Sequence, residues 1–168
     1  WVEQLQADYM FTPAEDFFVR VSAGMFEQAY AGYGGELLYR PFGSRWAIGA
    51  DLNWVRQRDF KQGFELLDYR TLTGHVNTYY EMPWYDLLAV VNVGRYLAKD
   101  KGATFSLSRL FDSGIRAGAF FTLTNLTPEQ FGEGSFDKGF FFVIPFQLFL
   151  PTSTLSTGNF GFRPLTRD

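Results

Sequence analysis

Cysteine is absent from the 168 residues, and histidine occurs only once. The first absence removes disulfides, thiol nucleophiles and thiolate metal sites together, and the second rules out a metal cage built on imidazoles. No cofactor is expected. Lack of cysteine fits many compartments, a cell envelope among them, and selects none. Also missing is any run near the roughly 20 apolar residues that a spanning helix needs. The most apolar stretch, from Gly139 to Leu150, is shorter and contains Pro145. No basic stripe stands out: 15 Lys and Arg against 18 Asp and Glu are spread along the chain, so nucleic acid is not an expected partner. Trp1 is preceded by no initiator methionine, basic n-region or apolar h-region. The expectation is a leader already removed, or a fragment of a longer chain.

What the chain has is aromatic residues and glycine. Phe, Tyr and Trp make up 20% of it, with 20 Phe, 9 Tyr and 4 Trp beside 17 Gly. Aromatic and β-branched side chains suit a pleated surface, and glycine marks turns and bulges. Together with the lack of helix-forming Ala-Leu-Glu-Lys richness, this predicts an all-β fold.

Apolar and polar residues alternate with period two along most segments. Phe17, Val19, Val21, Ala23 and Met25 oppose Arg20, Ser22 and Gly24. Trp46, Ile48, Ala50, Leu52 and Trp54 oppose Ala47, Gly49, Asp51 and Asn53. Leu72, Val76 and Tyr80 oppose Thr71, Thr73, His75, Asn77, Tyr79 and Glu81. A weaker contrast follows at 85–97, and two further strands are predicted at Ala103–Arg109 and Ile115–Leu123. In the apolar stretch Phe140, Phe142, Ile144, Phe146 and Leu148 share one face, and Phe141, Val143, Pro145 and Gln147 the other. With segments near 2–11, 32–41 and 157–165, about ten strands are predicted.

Short turns predicted at 12–15, 41–44, 81–84 and 112–114 alternate with longer joins at 27–31, 57–66, 98–102 and 125–138. Tyr9, Phe11, Phe17, Tyr39, Phe42, Trp46, Trp84, Tyr85 and Phe111 cluster near the short turns. Turns short on one rim and long on the other, with an aromatic girdle, are the layout of an outer-membrane barrel. A soluble barrel would carry many more Lys and Glu on its outer face. The predicted fold is therefore an antiparallel up-and-down transmembrane β-barrel segment spanning 1–168, about ten strands of a larger barrel, with lipid outside and water within.

Several ordered stretches add a family resemblance: YGGELLYRP (33–41), WAIGADLNWVRQRDF (46–60), TGHVNTYYEMPWYDLLAVVNVGRYLAKDKGATFSLSR (73–109), FDSGIRAGAFFTLT (111–124) and FGEGSFDKGFFFVIPF (131–146). From about Gly32 to Phe149 the chain resembles the YjbH/GfcD family of outer-membrane proteins linked to exopolysaccharide and group 4 capsule production. The resemblance implies a bacterial outer-membrane β-barrel, often made as a lipoprotein, working beside a polysaccharide export protein. Outer-membrane lipids, that export protein and polysaccharide are the partners it implies. Family members run to several hundred residues, and this chain looks like their C-terminal part. It departs from them in lacking a lipobox cysteine and in ending at TRD without a terminal aromatic residue, both of which suit a fragment. The resemblance brings no catalytic residues, and no enzyme activity is expected.

Candidate residues follow from the polar face. Arg20, Glu36, Arg40, Asp51, Asn53, His75, Asn77, Glu81 and Arg116 are predicted to line the lumen. Opposed charges among Arg20, Glu36, Arg40, Asp51 and Arg116 would hold strand register and keep the interior wet. The same groups would serve a polar path for sugars, with Tyr79 or Tyr96 stacking on pyranose faces. A His75–Glu81 pair with Ser106 or Ser108 would instead make an outer-membrane hydrolase, although no G-x-S-x-G motif is present. A lipocalin-like soluble barrel holding an apolar ligand is a further alternative, and it requires the Phe/Val/Ile face to point inward. The glycine-rich FGEGSFDKG (131–139) has too few spaced acidic ligands for a calcium loop and lacks the strand-loop-helix context of a phosphate loop, so it is predicted to be a long outer loop.

Overall fold

The computed structural model describes residues 4–60, 63–97, 99–125, 137–149, 154 and 156–164. Its fold is all-β: ten strands form one antiparallel meander in which each strand lies beside its neighbour in sequence. They are β1 (Leu5–Ala14), β2 (Phe17–Met25), β3 (Tyr30–Tyr39), β4 (Trp46–Arg58), β5 (Leu66–Glu81), β6 (Leu87–Arg95), β7 (Lys101–Leu110), β8 (Arg116–Thr124), β9 (Asp137–Pro145) and β10 (Thr157–Phe162). Each predicted strand is present. Among the described residues no helix is long and apolar enough to cross a membrane, which says nothing of crossing by strands.

The predicted barrel is not closed by these strands. The order starts at β1 and ends at β10, and among the described residues no pairing joins the two. Closure needs a hydrogen-bonding partner on the outer side of each, and this set of ten supplies neither. Two finer expectations also change. β9 stops at Pro145, and Phe146–Leu148 turn off in a single 3-10 turn, so Phe146 and Leu148 leave the strand face. The short-long alternation of connections is only partial. Residues 26–29 between β2 and β3 turn as tightly as those on the opposite rim, because pairing begins at Tyr30, earlier than predicted. Most of the predicted 125–138 outer loop lies outside the described residues.

The chain divides into two compact units: Trp1–Thr78 with Val93–Lys101 (unit 1), and Tyr79–Asn92 with Gly102–Asp168 (unit 2). In unit 1 the register sets Val19 opposite Leu37, Leu37 opposite Ala50, and Tyr33 opposite Trp54 on one face. Arg20 opposite Glu36, and Glu36 opposite Asp51, lie on the other. The apolar face is the exposed one: Ile48 is 42% exposed and Leu52 57%, whereas Thr73 on the polar face is 6% exposed. In unit 2, Phe105 stacks on Phe121 across β7 and β8, and Phe140 and Phe142 lie on the exposed side of β9. Among the described residues only Ala47 and Val55 are buried hydrophobics. A lipocalin-like carrier needs the reverse arrangement, so that alternative fails.

Rings gather near the turn rim of unit 1, where Phe17 lies 4.7 Å from Tyr39 and Tyr39 5.8 Å from Trp46. Asp16, at φ 63° in the β1–β2 turn, accepts the Arg40 amide on its carbonyl and the Phe42 amide on its carboxylate, each at 2.9 Å. One aspartate thus ties two adjacent turns together. At the opposite rim Arg58, 1% exposed, donates to the carbonyls of Glu27 at 2.9 Å and Gly63 at 3.1 Å. It ties Glu27, between β2 and β3, to Gly63, between β4 and β5.

Gly94 permits a close approach of two strands. A Cβ built there would stand 2.1 Å from the Gly74 carbonyl oxygen and 2.7 Å from Cδ2 of His75. Gly94→Val is expected to lower stability by about 1–3 kcal/mol, the usual cost of forced overpacking. Gly161→Ala, with nothing within 4 Å of the new atom, should change it by less than about 0.5 kcal/mol. Urea titration of the protein folded into lipid vesicles measures both. Arg58→Met should expose the 26–29 and 59–65 connections to protease, with cleavage there appearing in limited-proteolysis peptide maps. An unchanged digestion pattern would show that the arginine does not hold them.

Candidate functional site

Period two brings one residue in two to the sheltered face, and strand register decides which of them meet. On unit 1 three adjacent strands place Arg20, Glu36 and Asp51 side by side. Arg20 and Glu36 form an ion pair. Both are more than a third exposed, so the pair contributes at most about 1 kcal/mol and acts chiefly in register and charge balance. Asp51, facing Glu36 across β3 and β4, draws its partners from its own strand and from β5. Asn77 donates Nδ2–H to Asp51 Oδ1 at 3.0 Å, Asn53 donates to Oδ2 at 3.2 Å, and His75 Nδ1 meets Oδ2 at 3.1 Å. The carboxylate is a hub for three side chains from two strands.

Small residues make room for this hub. The Asn53 amide fills the space that a Cβ on its register partner Gly34 would occupy, with Oδ1 1.9 Å from that position. The His75 ring lies similarly over Gly94, with the Tyr96 ring 4.9 Å away. Because a carboxylate can only accept, His75 Nδ1 donates to Asp51, and in the neutral ring Nε2 is then an acceptor. Among the described residues, Nε2 of His75 and Nε of Arg20 are both buried without a hydrogen-bond partner. These groups border a cavity of about 430 Å³ whose lining includes Gln6, Ser22, Tyr30, Asn53, His75 and Tyr96.

Of the predicted lining residues, Arg20, Glu36, Asp51, Asn53, His75 and Asn77 meet on this face. Arg40 does not join the row. It follows the last residue of β3 and is exposed in the turn. Glu81 and Arg116 belong to unit 2, Glu81 exposed as the last residue of β5 and Arg116 half-buried opposite Leu110 and Val143. The acid that holds His75 is thus Asp51 in place of the predicted Glu81. Ser106 and Ser108 lie on β7 in unit 2, opposite Phe120 and Gly118. Tyr96 stands in the cavity lining, and Tyr79 is a unit 2 residue.

Unit 2 departs from the predicted wet lining. Its sheltered face carries the Thr104–Thr122 hydroxyl pair at 2.8 Å, but also Phe120, Phe141 and Val143. The Phe141 ring covers Gly118. Among the described residues no group of three or more His, Asp or Glu is placed to hold a metal ion.

Further contributors stand outside the predicted set of lining residues. Asp8 accepts from Ser22 and from Gln6 on the polar face, and strand parity alone would have placed all three there. Tyr30, edge-on to Tyr69 at 6.4 Å, extends the aromatic lining. Arg58 was hidden in the charged run RQRDF. Tyr33 and Trp54, stacked at 5.2 Å on the exposed face, form a second aromatic site away from the turn rim.

Comparison with known proteins agrees with the resemblance seen in the motifs. No solved structure matches the chain. An uncharacterized lipoprotein YjbH from Escherichia coli strain K12 is 40% identical over 172 residues, across the whole of this chain. The chain spans about a quarter of that relative's length, 25%. Residues 1–168 match the family YjbH, described as exopolysaccharide biosynthesis protein YbjH. A match over the full chain, with a relative at this identity, places the chain in that exopolysaccharide biosynthesis family.

Proposed function

We propose that this chain is an outer-membrane-inserted part of an exopolysaccharide secretion protein, with its apolar face against lipid and its polar face against water. In this reading it contributes strands to a larger β-barrel in the bacterial outer membrane and serves as conduit or scaffold beside a polysaccharide export protein, with no catalytic step of its own. The observation that carries it is the inverted burial: valine, leucine and phenylalanine outside, threonine, asparagine and aspartate sheltered. A water-soluble monomer rarely exposes a continuous apolar patch beyond a few hundred Å². Hydrocarbon makes the same surface favourable, provided the backbone is satisfied by strand pairing.

Dimensions support the reading. On β4 the exposed face runs Trp46, Ile48, Ala50, Leu52, Trp54. At about 3.3 Å per residue the two tryptophans stand about 26 Å apart along the strand. A tilt of about 40° reduces this to about 20 Å of depth, near the roughly 25 Å apolar band of outer-membrane barrels. Tyr39 flanks the first tryptophan and Tyr33 the second, as aromatic girdles do at the two interfaces. The lipoprotein character named for the Escherichia coli relative fits an envelope location.

The Asp51–His75 pair favours a second reading, a hydrolase with His75 as base. His75→Ala abolishes turnover of envelope lipid or glycan in that case and changes little in a passive conduit.

The absence of cysteine makes the orientation directly testable. Single cysteines at Ile48 and Leu52 are expected to resist a membrane-impermeant maleimide in lipid vesicles, while cysteines at Glu36 and Asn53 react. Reaction of the first pair with exclusion of the second overturns the proposal, as does a purified chain that stays folded and soluble without detergent.

A further inference from the structure

We infer that the sheltered face of unit 1 is a saccharide subsite that takes neutral or amino-bearing sugars and rejects acidic ones. The inference rests on the reading that this face meets water and polysaccharide, and it names the sugar chemistry the face would accept.

The cavity has the size and lining that a pyranose requires. Its volume of about 430 Å³ lies within the roughly 300–1,000 Å³ of small-ligand sites. A sugar ring presents hydroxyls that both donate and accept around its edge and an apolar C–H face above and below. The complement is a set of planar polar side chains beside an aromatic ring. Asn53 and Gln6 offer amides, Ser22 a hydroxyl, and Tyr96 and Tyr30 offer rings. His75 Nε2 and Arg20 Nε, buried without partners among the described residues, add a waiting ring nitrogen and a waiting donor. A buried polar group left unpaired is costly, so a ligand hydroxyl that pairs with it gains more than it would at an open surface.

Charge supplies the selectivity. Asp8, Glu36 and Asp51 occupy the polar face, and Glu27 lines the cavity. Against these stand Arg20, already paired with Glu36, and Arg58, which is buried with its guanidinium on backbone carbonyls. Carboxylates therefore outnumber cations around the cavity. A uronate, sulfate or phosphate on the sugar meets like charge in a partly desolvated site, where screening is weak. An ammonium meets opposite charge, and a neutral sugar depends on hydrogen bonds and ring contact alone.

The test uses the protein folded in detergent micelles and three probes at physiological ionic strength: maltohexaose (neutral), a chitosan oligosaccharide (amino-bearing) and an oligogalacturonate (acidic), titrated by calorimetry. Maltohexaose and the chitosan oligosaccharide are expected to bind, and the oligogalacturonate at least about tenfold more weakly. Tyr96→Ala and Asn53→Ala should each weaken maltohexaose about tenfold, while Tyr96→Phe, which keeps the ring, retains most of the affinity. Glu36→Gln should narrow the gap between maltohexaose and oligogalacturonate. Circular dichroism of each variant confirms the sheet, so that loss of binding is not loss of fold. Failure of folded protein to bind maltohexaose, binding of oligogalacturonate as tight as the neutral probe, or chitosan binding indifferent to Tyr96→Ala and Asn53→Ala overturns the inference. The cysteine labelling above answers the membrane question independently. A protein that labels as expected yet binds no sugar loses only the subsite, and one that binds sugar but labels in reverse loses only the membrane orientation.

Discussion

A β-strand offers its side chains to two surroundings in strict alternation, and the whole of this structure follows from which surroundings receive the oily set. When the polar set is the sheltered one, the usual source of stability in water is lost. Among the described residues the fully buried apolar side chains are Ala47 and Val55, so no dry core of the usual kind holds the sheet together. Cohesion must come from the backbone ladder and from an environment that accepts the exposed apolar face. Hydrocarbon is such an environment, and it places a second demand on the same chain: every peptide group must find a partner. Among the described residues nothing pairs with the outer edges of β1 and β10. In the proposed membrane setting, exposed oil and open edges would share one solution, a sheet continued by further strands.

The faces were legible in the sequence because parity is local. Ile48, Ala50 and Leu52 must share a side whatever the strand pairs with, and so must Thr71, Thr73, His75 and Asn77. What parity cannot supply is register. The Asp51–His75 contact depends on how β4 and β5 slide past each other, and a one-residue slip would turn every side chain to the other face. Reading within a single strand pointed to Glu81 as the partner of His75, whereas the carboxylate that meets the ring comes from the strand before. Strand ends were equally hidden. Arg40 has the same parity as Glu36, yet β3 ends one residue earlier, so it sits in a turn. Arg58 shows a different limit: a charged run suggests solvent, but two backbone carbonyls and a tight fold of the chain are enough to bury a guanidinium.

The sheltered polar groups are arranged as a supply of half-used hydrogen-bonding capacity, not as a set of strong ion pairs. Arg20 and Glu36 are too exposed for their pairing to weigh much in stability. Asp51, by contrast, collects three donors and so positions Asn53, His75 and Asn77 as a group. Such a hub fixes side-chain directions without spending all of their valences. The amide of Asn53 and the imidazole of His75 each keep an edge that the carboxylate does not occupy.

Whether a sheltered face becomes a site or a plug depends on what stands opposite its glycines. In unit 1, Gly34 and Gly94 lie beneath Asn53 and His75, and the polar side chains lie along the sheet and leave space above it. In unit 2, Gly118 lies beneath Phe141, and a phenyl ring takes up the space that glycine opens. The same device, a missing Cβ on the sheltered side, thus gives an open polar surface in one unit and a packed apolar one in the other. A wet interior would need only hydrophilic groups in any order. A face that clears room for planar amide and imidazole groups beside tyrosine rings is more selective than that, and selectivity of this kind is what recognition of a sugar ring requires.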